Sequence, residues 1–180
     1  RERARALFGT VSPPPSELSG PAALGRRLFF DPRTAADGKA ACVSCHLPEH
    51  QGADGRRFSL DARGELTQRT SPTVFNVVDQ LAQRWRGDRK SAANQAEDSL
   101  KGSMGWPSLE AAREHLRTLG YEPLFREAFP DDPEPLSTAN FGRAIEAYEA
   151  TLTTPGDFDR FLRGEAPLPD EARRGLERFV

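Results

Sequence analysis

The chain has 180 residues, 37% of them hydrophobic and 29% charged, with a formal net charge of −2. That length suits one well-buried domain, with an arm or the start of another beside it. The near balance of charge offers no basic field for nucleic acid, and no apolar run is long enough to span a bilayer.

The chain opens Arg1-Glu2-Arg3-Ala4-Arg5 with no apolar stretch behind it, so no signal peptide is read there. Residues 1–20 are read as an N-terminal arm, stiffened by Pro13-Pro14-Pro15. The spacing of Leu24, Leu28 and Phe29 predicts a helix over 22–30, stopped by Asp31-Pro32. A short helix is expected to open near Lys39, and 47–71, rich in glycine and polar residues, reads as a long loop. A short apolar stretch at 73–78 and Trp85 precede a polar helix near 92–100. Ser108 caps an amphipathic helix carrying Leu109, Ala112, Leu116 and Leu119, which Gly120 ends. Thr138 begins another, with Phe141, Ala144, Ile145, Tyr148 and Leu152 along its buried stripe. The fold class expected is all-α.

The short helix expected near Lys39 carries Cys42-Val43-Ser44-Cys45-His46, and these are the only two cysteines in the chain. C-x-x-C-H is the attachment pattern of a c-type haem. Two thiols three positions apart can each form a thioether with a haem vinyl group, and the following imidazole can ligate the iron from the proximal side. A zinc site needs four ligands, and no second cysteine pair exists to complete one. A thioredoxin-like redox pair is the other reading of C-x-x-C, but it goes with βαβ patterning that this chain does not show. One covalent haem c is the cofactor expected, and it implies attachment outside the cytoplasm and hence a periplasmic protein. A low hydrophobic content also suits a core that is partly porphyrin.

Leu24-Gly25-Arg26-Arg27-Leu28-Phe29-Phe30-Asp31-Pro32-Arg33, Ala36-Asp37-Gly38-Lys39 and the haem pentapeptide together resemble the opening of the bacterial dihaem cytochrome c peroxidases and the related MauG proteins. The likeness continues through Arg69-Thr70-Ser71-Pro72-Thr73-Val74-Phe75-Asn76, Gln83-Arg84-Trp85-Arg86-Gly87-Asp88 and Phe158-Asp159-Arg160-Phe161-Leu162-Arg163-Gly164. The resemblance implies a cytochrome c-like haem domain with long loops and extra helices over 21–165, similar to the family's N-terminal, peroxide-reducing half. Residues 166–180 would be a linker and the first helix of a second haem domain whose own C-x-x-C-H is not in this sequence. Electrons would then come from a second haem domain or a small redox donor protein, with hydrogen peroxide as the substrate.

The same resemblance assigns the remaining site residues. Gln95, in Gln95-Ala96, keeps the place of the family's distal glutamine, whereas Ser103 of Ser103-Met104-Gly105 stands where the family has the proton-moving glutamate of E-M-G. A hydroxyl donates a hydrogen bond but is a poor proton acceptor at neutral pH. Trp85 matches the tryptophan between the two haems, an electron conduit in the family; a packing aromatic is the alternative. Met104 is either a core residue or a distal sulfur ligand that would close the sixth position and make the protein a non-catalytic electron carrier. A MauG-like enzyme that oxidises another partner is the third reading. The family's calcium ligand, an asparagine in R-N-x-P-T, is replaced by Thr70, which weakens the expectation of calcium. His50 is placed at the haem edge and His115 on the solvated side of its helix, beside Glu114.

Overall fold

The computed structural model describes all of residues Arg1–Val180. Eight helices and no strand make up the regular structure, with three isolated β-bridges in the loops. They are α1 (Glu2–Phe8), α2 (Gly20–Phe30), α3 (Ala92–Lys101), α4 (Leu109–Thr118), α5 (Glu122–Ala128), α6 (Thr138–Glu149), α7 (Asp157–Arg163) and α8 (Asp170–Phe179). No helix is long and apolar enough to cross a membrane. The chain divides into two compact units, Ser16–Leu152 and the pair of segments Arg1–Pro15 and Thr153–Val180.

The larger unit is organised around α6, which packs on α2 and on α3. A long helix with an apolar stripe buries it wherever another backbone can come close, and two glycines permit that approach. A Cβ on Gly25 would sit 1.8 Å from the Ala144 carbonyl oxygen, and one on Gly142 2.4 Å from the Ala93 carbonyl oxygen. Around these crossings Leu28, Phe29, Leu100, Phe141, Ala144 and Ile145 are buried, and the Phe29 and Tyr148 rings meet edge-on with centroids 5.2 Å apart. Serine side chains cap three of the helices: Ser91, Ser108 and Ser137 accept from the backbone N–H of Asn94, Ala111 and Asn140.

α2 stops at Asp31 because Pro32 cannot continue it. The freed carboxylate caps the next turn, accepting the backbone N–H of Arg33 at 3.0 Å. It also takes the Arg33 guanidinium at 2.6 Å and the Tyr121 hydroxyl at 2.7 Å. Arg33 first, and Tyr121 after it, hold the Asp31 carboxyl down to about 2 against the opposing effect of burial.

The smaller unit is built on three facing helices. Phe8 of α1 meets Phe158 of α7 at 5.7 Å and Phe179 of α8 at 5.8 Å between ring centroids. Val11 donates its N–H to Asp159 at 2.7 Å, and its carbonyl accepts from Arg163 at 2.9 Å. Three helices, α1, α5 and α7, were not anticipated from sequence. α1 is short and mostly exposed, and the arginine-rich composition of residues 1–5 conceals that only Ala4 is buried from that helix. α5 is also short, and its Pro123 reads as a breaker although it occupies the first turn, where proline is tolerated. The helix expected near Lys39 is a single 3-10 turn at Cys42–Ser44.

Gly25→Ala is expected to lose about 1–3 kcal/mol or more, because the added methyl meets backbone rather than a movable side chain; urea unfolding measures it. Asp31→Asn is expected to lose about 1–2 kcal/mol at neutral pH, discounted because Arg33 is exposed. The sign follows from a depressed carboxylate: its contribution is full above the unfolded value near 4 and disappears as pH falls towards about 2. The gap between parent and variant should close over that window.

Candidate haem site

The cysteine-histidine segment is wound tightly enough to present its three reactive side chains together. Ser44 N–H bonds to the Ala41 carbonyl at 2.9 Å, and the N–H groups of Cys45 and His46 both bond to the Cys42 carbonyl at 3.1 Å. Asp37 braces the approach by accepting the backbone N–H of Lys39 and Ala40, each at 3.0 Å. Both cysteines are free thiols, half-buried. Burial pushes the Cys42 thiol up to about 12 and raises that of Cys45 as well, so neither is a ready thiolate for disulfide exchange. Cys45 donates its S–H to the Leu60 carbonyl at 3.6 Å.

His46 is oriented by the loop that follows it. Its Nδ1 lies 3.0 Å from the Gly52 carbonyl oxygen, and a carbonyl only accepts, so Nδ1 carries the proton and the Nε2 lone pair is left for a metal. The Ser71 hydroxyl sits 3.3 Å from Nδ1 and 3.4 Å from Nε2. Burial lowers the His46 pKa, opposed by the Gly52 carbonyl, which keeps the ring neutral as ligation requires. The loop can place that carbonyl because Gly52 takes φ of 76°, and a Cβ there would lie 3.0 Å from the Thr73 hydroxyl and 3.1 Å from Val74 N.

Two adjoining cavities open beside this segment. The larger, about 310 Å³, is lined by His46, Ser71, Val74, Val77, Trp85 and Gln95 among others. The smaller, about 90 Å³, is lined by Cys42, Ala96, Met104 and Ile145 among others. Cys45, His46, Leu60, Ala92, Gln95, Ser103 and Glu149 border both. Apolar walls, two thiols, and an imidazole with a free Nε2 are a donor set that fits a covalently tethered haem. Cys42, Cys45 and His46 are the residues that could hold it.

The sequence-predicted side chains gather here, with differences. Gln95 borders both cavities, and its Oε1 accepts from the Arg84 guanidinium, so its amide N–H groups remain to donate. Ser103 also borders both, held by the Ala62 N–H bond to its carbonyl at 2.8 Å. Met104 is buried, and its sulfur accepts from the Ser99 hydroxyl at 3.6 Å. Trp85 stands at the rim of the larger cavity, 58% exposed, with its indole N–H on the Thr70 carbonyl at 2.8 Å. His50 is exposed and borders neither cavity, because the turn at Pro48–His50 carries it outwards. His115 is not solvated as expected: its Nε2 lies 3.0 Å from the Arg33 carbonyl and its ring packs on Trp106 at 4.8 Å. Trp106, whose own N–H bonds the Thr34 carbonyl at 2.9 Å, supplies the partner.

Two residues at the site were not singled out from sequence. Arg84 stood inside a matched motif but was not weighed on its own. Glu149 continues the buried stripe of α6, one turn beyond Ile145, and a carboxylate at that phase was the signal available.

Fold and cavity together define a c-type haem domain, and comparison with known proteins narrows the class. The model of the di-haem cytochrome c peroxidase family matches residues 20–167. The chain belongs to that family, whose members are haem c oxidoreductases. It is 37% identical to the cytochrome c551 peroxidase of Pseudomonas aeruginosa, over 99% of this chain and 55% of that protein. It is 33% identical to the methylamine utilization protein MauG of Methylophilus methylotrophus, over 92% of this chain and 51% of that one. Among solved structures, a MauG-like protein associated with microbial copper homeostasis superposes with a TM-score of 0.75 at 28% identity, covering 94% of this chain and 52% of that one. The chain thus spans about half the length of these relatives.

Gly52→Ala is expected to cost roughly 1–3 kcal/mol from the strained φ and the crowded Cβ. It should also loosen the His46 Nδ1–H bond, read as faster exchange of that proton by NMR. Unchanged exchange would mean that the Gly52 carbonyl does not hold the ring.

Proposed function

We propose that this chain is the peroxide-reducing portion of a periplasmic c-type haem oxidoreductase, supplied with electrons by a second haem domain or a separate redox protein. The observation that carries this reading is an oriented, neutral His46 opening on the same cavity as a distal-type amide, Gln95. Haem c, when bound, supplies the redox-active iron for peroxide reduction. Cys42 and Cys45 are its tethers and His46 its proximal ligand.

The other residues bind and orient. Arg84 fixes the Gln95 amide by occupying its oxygen, so the amide presents donors to an oxygen ligand in the cavity. The Ser103 hydroxyl offers a further donor from the opposite loop. Trp85 would pass electrons to or from a docked partner, a role that its exposed position at the rim supports. One haem per chain is proposed for this stretch, and no calcium is invoked.

Met104 supports a second reading. It borders the smaller cavity together with His46, and a rotation that breaks its bond to Ser99 would turn the sulfur inwards. A sulfur on the iron would favour electron transfer over peroxide chemistry.

The ferric absorption spectrum of the haem-loaded protein, with and without cyanide, separates the two. Peroxide reduction calls for a high-spin spectrum that cyanide converts to low-spin, and for peroxide loss when a reduced donor is present. A low-spin spectrum with a sulfur-to-iron band that resists cyanide would overturn it in favour of a Met104-ligated carrier.

A further inference from the structure

The family's proton-moving glutamate is missing at Ser103, yet a carboxyl does reach the cavity. Glu149 lies at the C-terminal end of α6, is 8% exposed, and borders both cavities alongside Gln95 and Ser103. Its carboxyl group makes no hydrogen bond and no ion pair, although its backbone carbonyl accepts the Leu152 N–H at 3.0 Å. The acidic neighbour that acts on it, Glu146, is itself engaged, accepting the Ala93 N–H at 3.0 Å. A carboxyl buried without a partner opposes folding by some kilocalories per mole. α6 would be better served by a leucine or alanine at this phase.

We propose that Glu149 is the proton-carrying group of the haem cavity, serving small protic ligands such as hydrogen peroxide and hydrogen cyanide in place of the carboxyl absent at Ser103. This rests on the haem reading above. In peroxide reduction, one hydrogen peroxide, two electrons from the donor and two protons give two waters. The Glu149 carboxylate takes a proton from one peroxide oxygen and returns it to the other, which leaves as water as the O–O bond breaks; the remaining protons come from solvent. Gln95 orients the ligand by hydrogen bonding. Burial, and to a lesser extent Glu146 one turn earlier, push the Glu149 carboxyl up to about 8, so both of its protonation states are populated near neutral pH, as a proton carrier requires. Cys42 and Tyr148 both sense its charge; Cys42 would be consumed as a thioether, and Tyr148, its own pKa raised by burial, stays neutral in the same range.

The test uses the haem-loaded chain and a ligand whose binding needs no turnover. Hydrogen cyanide must lose its proton to bind ferric haem, whereas carbon monoxide binds ferrous haem with no proton transfer. Glu149→Gln is expected to slow cyanide binding by about 100-fold, leave carbon monoxide binding unchanged, and slow the reaction with peroxide in parallel. Glu149→Asp, which keeps a carboxyl one methylene back, should recover part of the cyanide rate. Equal cyanide rates in parent and Glu149→Gln would overturn the proposal. So would a loss that carbon monoxide binding shares, or one that Glu149→Asp does not relieve, since either marks a packing role. If the parent fails to reduce peroxide while its cyanide rate still depends on Glu149, the peroxide reading falls and the proton-carrying role stands.

Discussion

The close approach of α6 to two other helices is the constraint on which the larger unit depends. Helices usually meet through side chains, at axial separations of about 8–10 Å. At Gly25 against Ala144, and at Gly142 against Ala93, the contact is instead backbone to backbone. One helix is thereby clamped on both flanks. Its remaining face, carrying Ile145 and Glu149, becomes a wall of the haem cavity, and α3, pressed on the same helix, contributes Ala92, Gln95 and Ala96 beside it. Cavity shape and helix packing are therefore a single arrangement.

The second determinant is local. A five-residue segment wound on the Cys42 carbonyl brings two thiols and an imidazole together, but it leaves the ring free to swing. The turn that ends at Gly52 removes that freedom by offering one carbonyl to Nδ1. On the opposite side, the loop from Gly102 to Trp106 is held by bonds from Met104 N–H to the Ser99 carbonyl, from Ala36 N–H to the Met104 carbonyl, and from the Trp106 indole to the Thr34 carbonyl. Both faces of the site therefore rest on loops whose backbone groups are satisfied by neighbouring elements.

Much of this was legible in the residues. C-x-x-C-H marked the cofactor and its covalent chemistry. The stripes of α2, α4 and α6 and the cap Ser108 marked where helices run and which faces they bury, and the all-α class followed. What escaped was of two kinds. α1, α5 and α7 are short, with one or two buried residues each, so no period could build up within them. His115 and Glu149 were misjudged or passed over because their roles depend on neighbours distant in sequence, the Arg33 carbonyl for one and the haem-facing cavity for the other. Helix phase alone says which side chains turn inwards, and not whether they meet packing or open space.

The α2–α6 crossing joins the two ends of the larger unit, since α2 opens it and α6 closes it. Contacts so remote along the chain form late, because the closure entropy of the intervening loop must be overcome first. Cys42 and Cys45 lie inside that loop. Both cysteines that would tether a haem therefore lie within the stretch that the α2–α6 crossing closes, so the contact that seals the larger unit also encloses its attachment segment.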